Sequence, residues 1–387
     1  IPNDQLSEIH VGTRVYVPFK SKTIQGVVVY IKNTNSYTGS LKQIIKPIDN
    51  IKLITPSLWR LIKWVSKYYM TPIGKVANSV VPKSLSSSYK PRPEKYVRLK
   101  KNIDIEKINN LKKTAPKQYQ VLKTLAKNSV FYKVSSLKNI VLNPLQICRV
   151  LNGKGFIEFI EKTKELDLKQ SIFEPVFKNI VFNKDQKLVI NNLIRSLKRG
   201  SFGSFLLHGV TGSGKTEVYI EAVRYCLSQN RSAIILLPEI SLTPQLAGRF
   251  RAVFGNIVAI WHSKLKPQER SWTWGKICTG DFKIVIGARS AIFSPLKNVG
   301  IIIVDEEQET AFYQDSKEPR YHARDVALMR GTFEKGTVLV ASATPSLESY
   351  YNFKRNKIAY LGLPKRYGDA KYPKVHIVDM VSNQEET

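Results

Sequence analysis

Apolar and polar positions alternate at the start of the chain, a pattern typical of β-strands with one buried face. The apolar members of the alternation are Val11, Val15 and Val17, and a β-branched run follows at 26–31. Polar residues 20–22 between the two segments suit a hairpin turn, and 41–54 offers a third strand region. The pattern predicts a small, mostly β structure here.

The apolar spacing becomes helical over 57–70, where Ser57 is a candidate N-cap. A stretch rich in Ser, Lys and Pro at 84–93 indicates a linker. We therefore expect a mostly β domain with one helix over 1–90. Four aromatic residues of the helix are expected to pack it rather than to stack on bases: Trp59, Trp64, Tyr68 and Tyr69.

Residues 91–165 are expected to hold a linker and a winged-helix domain. Three short helical stretches, the last two at 134–141 and 143–152, precede an alternating strand at 156–160. This order is typical of a winged helix, although other three-helix folds share it. The charged segment 165–175 indicates a second linker.

From Phe182 onward, strands and helices alternate, which predicts a parallel sheet covered by helices on both faces. The expected strands are 204–208, 233–237, 257–261, 283–287, 300–304 and 337–341. The expected helices are 184–198, 215–228, 243–253 and 267–279.

The chain of 387 residues is strongly basic, since 61 Lys and Arg against 30 Asp and Glu give a net charge of +31. Residues 1–174 hold 31 basic and 11 acidic side chains, a balance of +20, and 175–387 hold 30 and 19, a balance of +11. Such an excess favours a polyanionic partner, nucleic acid before an anionic membrane. Compositional bias of an AT-rich genome is the alternative source of the Lys excess.

Several classes of protein are disfavoured by composition. No apolar run approaches the length of a membrane-spanning helix, and no basic amphipathic helix suits a membrane surface. The three scattered cysteines form neither a disulfide framework nor a CxxC metal site. We expect a reduced, cytoplasmic protein without a membrane partner, and the start at Ile1 suggests a fragment.

A phosphate-binding motif, GxxxxGK[ST], lies at 209–216 between an apolar strand and an amphipathic helix. Its glycines let backbone N–H groups converge on phosphate oxygens, and the helix N-terminus adds partial positive charge. Lys215 is expected to reach the β- and γ-phosphates, and the Thr216 hydroxyl to hold Mg²⁺. The candidate nucleotide-binding residues of this motif are Gly209, Thr211, Gly212, Ser213, Gly214, Lys215 and Thr216.

Two carboxylates follow the β-branched strand 300–304, at the end that faces the ligand crevice of an open parallel sheet. Asp305 is expected to contact Mg²⁺, and Glu306 to polarise the attacking water. Lys215, Asp305 and Glu306 are therefore the candidate catalytic residues. A solvated acidic turn is the alternative interpretation.

Ser342 and Thr344 belong to an SAT sequence directly after strand 337–341. Their hydroxyls are expected near the same edge of the sheet, where they would connect the ATP state to a bound nucleic-acid strand. The order of the three motifs points to nucleic-acid motors, and no LSGGQ-like sequence suggests a transporter ATPase.

Longer strings resemble the primosomal protein N′ (PriA) family, superfamily 2 DNA helicases of replication restart. They are GVTGSGKTEVY (209–219), LLPEISLTPQL (236–246), IGARSAIFSPL (286–296), IIIVDEEQE (301–309), PRYHARDVA (319–327) and SATPSLES (342–349). GTRVYVPF (12–19) and SLWRLIKWVSKYYMTPIG (57–74) resemble the family's 3′-DNA-binding domain and its junction. The resemblance implies such a domain over 1–90, a RecA-like helicase lobe over 176–372 and the start of a truncated C-terminal part over 373–387.

The resemblance also implies roles for single residues. Gln186 resembles the glutamine that contacts adenine, and Arg289 resembles a residue of the single-strand track, with Pro238-Glu239 and 241–246. The segment 307–324 resembles an aromatic-rich loop that senses DNA. Its candidate DNA-binding or coupling residues, for which core packing or a purely structural role is the alternative, are Phe312, Tyr313, Tyr321, His322 and Arg324.

Three departures from the family pattern stand out. Gln308 occupies a position where His is common. The zinc region and the second motor lobe would follow residue 379, so zinc is expected only outside this chain. A strand of the pocket for a nascent 3′ end would precede Ile1, so this pocket is expected to be incomplete.

The resemblance implies an ATP- and Mg²⁺-dependent 3′-to-5′ DNA helicase that assembles a primosome at stalled forks. The expected partners are forked and single-stranded DNA, replication-restart proteins and single-strand-binding protein. The protein itself is expected to be a monomer, located in the bacterial cytoplasm and associated with the nucleoid. We expect the chain alone to bind nucleotide but to hydrolyse it weakly. The alternatives are another superfamily 2 translocase, or a DNA-binding module whose ATPase is lost through truncation.

Overall fold

The computed structural model describes residues 9–32, 38–49, 51–82, 85, 94–100, 105–126, 131–162, 181–238 and 244–367. The chain forms two compact units, one of 1–87 together with 171–387 and one of 88–170. The predicted linker 165–175 and the segment 373–387 lie outside the described residues, as does most of 84–93. The N-terminal β region therefore shares its compact unit with the α/β part.

The N-terminal region forms, within its described residues, a three-stranded antiparallel sheet of order β2-β1-β3. Its strands are β1 (Arg14–Phe19), β2 (Lys22–Val27) and β3 (Lys46–Pro47). The hairpin turn lies where it was predicted, with Lys20 in the left-handed region at φ 53°. The prediction of a strand over 26–31 was wrong in its bounds, because the tight turn starts β2 at Lys22.

Helix α1 (Pro56–Tyr68) confirms the helical prediction, and α2 (Ile73–Val80) follows without having been predicted. The N-cap is Thr55 and not Ser57, because the Thr55 hydroxyl accepts from the Leu58 N–H at 3.2 Å. Trp59 is buried as expected, whereas the side chain of Tyr68 is 60% exposed.

The second unit has an antiparallel sheet of order β5-β4-β6 within its described residues. Its elements are β4 (Glu94–Leu99), α3 (Ile105–Thr114), α4 (Pro116–Ala126), β5 (Tyr132–Lys133), a 3₁₀ segment (Val134–Asn139), α5 (Pro144–Gly153) and β6 (Ile157–Lys162). The three helical stretches and the strand predicted for a winged helix are present. The central strand β4 and helix α3 were not predicted. Strand β4 pairs with β6, which lies about 60 positions further along the chain, so its local sequence does not reveal the pairing.

The α/β part is built on a seven-stranded sheet, counted over the described residues, of order β13-β7-β12-β11-β8-β10-β9 with parallel pairing throughout. The strands are β7 (Gly203–Gly209), β8 (Ser232–Leu236), β9 (Val258–Trp261), β10 (Ile284–Gly287), β11 (Val299–Asp305), β12 (Thr337–Ser342) and β13 (Ala359–Leu363). The helices are α6 (Lys184–Arg199), α7 (Lys215–Ser228), α8 (Pro244–Phe254), α9 (Pro267–Thr279), α10 (Ala323–Glu334) and α11 (Leu347–Lys354). The predicted strands are all present, while α10, α11 and β13 were not predicted.

Burial on both faces explains why the strands of this sheet were visible in the sequence. Every residue of β8, β10, β11 and β12 is buried, as continuous apolar runs predict. The neighbours β7, β12 and β11 end at one edge of the sheet. The phosphate loop, the SAT sequence and the acidic motif follow these three strands, so the fold collects them at that edge.

Two further predictions concern membranes and cysteines. Within the described part of the chain, no helix combines the length and apolarity needed to cross a bilayer. Cys148, Cys226 and Cys278 are buried and unbridged. Burial raises the pKa of the Cys148 thiol to about 11.

Candidate functional site

The phosphate loop connects β7 to the N-terminus of α7. Gly212 and Gly214 adopt left-handed φ values of 79° and 81°, which turn the backbone toward the start of the helix. Lys215 donates to the Gly209 carbonyl at 2.9 Å and so closes over the loop. Thr216 is half-buried in the first turn of α7, and Thr211 is exposed in the loop.

Gln186 supports this loop from α6. Its amide nitrogen donates to the Ser213 carbonyl at 2.9 Å, and its amide oxygen accepts from the Asn183 N–H at 3.0 Å. A Cβ atom on Gly214 would lie only 2.4 Å from the Gln186 amide nitrogen. The fully buried Gln186 therefore contacts the phosphate loop, and the adenine contact implied by the resemblance stays a prediction.

Asp305 ends β11 in a nearly closed environment. The Tyr219 hydroxyl on α7 donates to its carboxylate at 2.8 Å, and the Glu306 N–H donates at 3.1 Å. Burial raises the pKa of Asp305, while the Tyr219 hydrogen bond lowers it. Tyr219 keeps its proton because burial and the Asp305 charge raise its own pKa far above the usual range.

Glu306 lies opposite the phosphate-loop lysine. Its carboxylate oxygen is 3.8 Å from the Lys215 ammonium, and it accepts from the Gln308 amide at 3.0 Å. Glu306 has a φ of 51°, an unusual conformation for a residue with a side chain. The residue that departs from the family pattern, Gln308, thus contacts the candidate water-polarising carboxylate.

Glu307 links the acidic motif to the segment after β12. Its completely buried carboxylate accepts from the Ser346 N–H at 2.7 Å and from the Ser349 hydroxyl at 2.8 Å. Arg324 donates to the same carboxylate at 3.0 Å and to the Ser346 hydroxyl at 2.7 Å. Burial opposes the charge of Arg324, but the Glu307 hydrogen bond and the carboxylate of Asp325 raise its pKa above the usual value.

His322 forms the N-cap of α10 at the end of the aromatic loop. Its ring Nδ1 accepts from the backbone N–H of Arg324 at 3.2 Å. The backbone N–H of His322 donates at 3.2 Å to the hydroxyl of Tyr69, the residue that follows α1. Burial and the neighbouring Arg324 charge lower the pKa of His322. These contacts join α1 to the network around Glu307.

The aromatic loop is held by Arg289, which follows β10. Its guanidinium donates to the carbonyl of Tyr313 at 2.8 Å, and Tyr313 forms a backbone bridge with His322. The Tyr313 side chain is 46% exposed and remains available for stacking. The stacking surfaces expected at Phe312 and Tyr321 are wrong for this arrangement, because both rings are buried, Tyr321 against Phe293 with centroids 5.2 Å apart.

The SAT hydroxyls differ in exposure. Ser342 is buried at the end of β12, and its hydroxyl accepts from the Thr344 N–H at 2.8 Å. Thr344 is exposed. Ser342 therefore shapes the turn, and Thr344 presents its side chain to solvent.

The residues at this edge fit a nucleoside triphosphate with Mg²⁺. The Ser213 hydroxyl is buried without a protein hydrogen-bond partner, and Gly214 leaves no room for a Cβ atom beside the loop. Lysine, hydroxyl and carboxylate groups are the donor set that a triphosphate and Mg²⁺ require. Thr216 and Asp305 are the candidates to hold the metal.

Several residues of this network were not predicted from the sequence to belong to a functional site. They are Tyr69, Tyr219, Glu307, Ser346 and Ser349. Tyr219, Glu307, Ser346 and Ser349 lie inside the strings that carried the resemblance, which was the available signal. Tyr69 was assigned to helix packing, and no local pattern reveals its contact with His322.

Two family profiles match the chain. A 3′ DNA-binding domain (3′BD) matches residues 1–82, and a DEAD/DEAH box helicase matches residues 183–353.

Curated relatives match along nearly the whole chain. Replication restart protein PriA of Chlamydia pneumoniae is 35% identical over 99% of this chain and 51% of its own length. PriA of Bacillus subtilis is 29% identical over 98% of this chain and 55% of its own. PriA of Synechocystis sp. is 50% identical over a shorter stretch, 45% of this chain and 22% of its own. The chain spans about half the length of the relatives it matches end to end.

Solved structures show partial likeness. RecG bound to a three-way DNA junction is 20% identical over 54% of this chain and 27% of its own, with a TM-score of 0.42. The Hef helicase domain of Pyrococcus furiosus is 20% identical over 46% of this chain and 38% of its own, with a TM-score of 0.35.

Proposed function

The chain belongs to the PriA family of replication restart proteins, and on this premise we propose that it is part of an ATP-dependent, 3′-to-5′ DNA helicase. This helicase would restart replication at stalled forks in the bacterial cytoplasm. The observation that carries the proposal is the meeting of the phosphate loop with the Asp305-Glu306 motif, where Lys215 and Glu306 lie 3.8 Å apart. The RecA-like sheet and the region that matches a 3′ DNA-binding domain lie in one compact unit, which supports the same function.

In this proposal the phosphate loop binds the triphosphate. Backbone N–H groups around Gly212 and Gly214, the start of α7 and the Lys215 ammonium supply the positive charge that attracts phosphate oxygens. Thr216 and Asp305 hold Mg²⁺, which neutralises phosphate charge when it is bound. Glu306 orients and polarises the attacking water.

The coupling of ATP state to DNA is assigned to the Glu307 network. Arg324 and Ser346 hydrogen bond to Glu307, which directly follows the proposed water-polarising residue. Arg289 fixes the aromatic loop through the Tyr313 carbonyl, and the exposed Tyr313 ring is the surface for a DNA base. A movement of this loop would therefore reach the acidic motif through α10 and Arg324.

Nucleotide binding by the 387-residue chain tests the first step. We expect Lys215→Ala to weaken ATP binding at least about tenfold, because the ammonium is the side chain placed to meet phosphate charge. Lys276→Ala, at a partly exposed lysine of α9 paired with Asp281, is the matched control and should bind ATP normally. Equal ATP affinity of the original chain and Lys215→Ala would contradict the proposal.

DNA binding tests the second step and separates the alternatives. We expect gel shifts with forked DNA that persist in Lys215→Ala, since the DNA-binding region lies apart from the phosphate loop in sequence. A chain that binds forks but shows no ATP binding at all would be a DNA-binding module. Equal affinity for forks with and without a free nascent 3′ end would show that the 3′-end pocket is not functional in this chain.

Strand separation is tested in a full-length PriA carrying the same sequence region. Unwinding of duplexes with a 3′ single-stranded tail, and not of those with a 5′ tail, is the result expected for 3′-to-5′ translocation. We expect the 387-residue chain by itself to hydrolyse ATP weakly, because the family resemblance implies that a second motor lobe completes the ATP site. Full DNA-stimulated turnover by this chain would contradict that expectation.

A further inference from the structure

The segment after β13 runs along the phosphate loop and is bonded to it at both ends. The Leu363 carbonyl accepts from the Val210 N–H at 3.2 Å, and the Tyr367 N–H donates to the Gly212 carbonyl at 2.8 Å. Between them, the Arg366 side chain passes within 3.9 Å of the point where a Cβ atom on Gly212 would stand. We call residues 363–367 the β13 strap.

Tyr367 connects the strap to a second segment. Its hydroxyl donates to the carbonyl of Val181, just before α6, at 3.3 Å. Tyr367 is therefore held at both ends, because its backbone N–H bonds to the phosphate loop and its hydroxyl bonds to Val181. Its side chain is nevertheless 47% exposed. An aromatic ring that is held in place and still exposes its surface is suited to stacking.

Gln186, the residue that the family resemblance implies for an adenine contact, offers an amide group and no aromatic ring. Gln186 is fully buried, and both atoms of its amide group are engaged by Ser213 and Asn183. An amide contacts the edge of a base and leaves the faces of its ring uncovered. The nucleotide base therefore needs a stacking surface near the loop.

We propose that the β13 strap is this surface: Tyr367 stacks on the base of the bound nucleotide, and the Arg366 side chain lies beside it. A triphosphate held by the loop places its ribose and base within reach of residues bonded to that loop, and Tyr367 is bonded to Gly212. A guanidinium next to a stacked base adds a favourable contact with its π-system. This inference rests on the proposed function, because it presumes that the loop binds a nucleotide.

The test uses the 387-residue chain and two competitors of a fluorescent nucleotide, ATP and inorganic tripolyphosphate. Tripolyphosphate has the phosphates but no base, so a stacking contact should affect only ATP. Tyr367→Ala removes the ring, and Tyr367→Phe keeps the ring but loses the hydroxyl. Tyr351→Ala, at another exposed tyrosine on α11, is the matched control.

We expect Tyr367→Ala to weaken ATP binding about 5- to 100-fold, the range that loss of one base–aromatic stack produces, with tripolyphosphate affinity unchanged. Tyr367→Phe and Tyr351→Ala should stay within about threefold of the original chain, and Arg366→Ala should weaken ATP binding less than Tyr367→Ala.

Three outcomes would overturn the inference. Unchanged ATP affinity in Tyr367→Ala, with Lys215→Ala impaired, would place the base elsewhere. Equal losses for ATP and tripolyphosphate would show that Tyr367 only supports the phosphate loop. If neither the original chain nor Lys215→Ala binds ATP, the proposed function itself fails, and the inference falls with it.

Discussion

The guanidinium of Arg324 lies 3.0 Å from the carboxylate of Glu307, and that carboxylate has no exposed surface. Removing one partner of such a pair leaves the other charge buried without compensation. We predict that Arg324→Ala lowers the free energy of unfolding by about 3–5 kcal/mol, measured by urea denaturation. A double-mutant cycle with Glu307→Gln isolates the energy of the pair.

The exposed pair of Lys75 and Glu318 provides the control for this measurement. Because solvent screens such pairs, Lys75→Ala should leave the unfolding curve nearly unchanged. A loss for Arg324→Ala no greater than that for Lys75→Ala would contradict the importance of the buried pair.

Tyr219→Phe is predicted to shift the pH dependence of Mg²⁺-supported nucleotide binding toward higher pH. Burial already raises the pKa of Asp305, and the Tyr219 hydroxyl counteracts this by donating to the charged carboxylate. Without that donor the pKa rises further, so protonation at falling pH removes the metal ligand sooner.

Nucleotide titrations with and without Mg²⁺ from about pH 5 to 8 measure the shift of the acidic limb. Tyr360→Phe, whose hydroxyl contacts His208, serves as the control and should keep the original profile. An unchanged acidic limb in Tyr219→Phe would show that this hydrogen bond does not tune the metal site.

Gly214→Ala should abolish nucleotide binding. The new Cβ atom would meet the Gln186 amide nitrogen at 2.4 Å, and φ of 81° is unfavourable for any residue with a side chain. Gly200→Ala at the end of α6 separates the two effects, because φ is 62° there but no atom lies within 4 Å of the added Cβ.

The control variant should lose about 1–2 kcal/mol of stability from the left-handed conformation and still bind ATP. Calorimetric melting and fluorescent-nucleotide titration measure both properties. Normal ATP affinity of Gly214→Ala would refute a phosphate loop of this shape.

Tyr69→Phe tests the contact between α1 and the aromatic loop. The Tyr69 hydroxyl accepts from the His322 N–H, and burial raises the pKa of Tyr69 to about 12. Loss of the acceptor should destabilise the chain by about 1–2 kcal/mol, because a partly buried N–H loses its partner. Tyr68→Phe, at the exposed neighbour, is the control and should not change the unfolding midpoint in urea. Equal effects of the two variants would show that the Tyr69–His322 hydrogen bond does not contribute to stability.

The sequence alone determined the parallel strands and the two halves of the nucleotide site. Strands buried on both faces carry continuous apolar runs, so β8 and β11 were recognisable without their neighbours. The phosphate loop and the acidic motif were recognisable because each is a short string whose residue types and spacing suit phosphate or metal chemistry. These signals are local, and local signals survive in a one-dimensional pattern.

Only the tertiary structure decided which residues meet. Tyr219 and Asp305 are 86 positions apart, and Tyr69 and His322 are 253 apart, so their contacts depend on the packing of separate elements. The contact between Gln186 and the Ser213 carbonyl, 27 positions apart, likewise depends on how α6 packs against the phosphate loop. The physical reason is that burial and pairing are properties of the space between elements, which strand order and helix packing define and no single segment encodes.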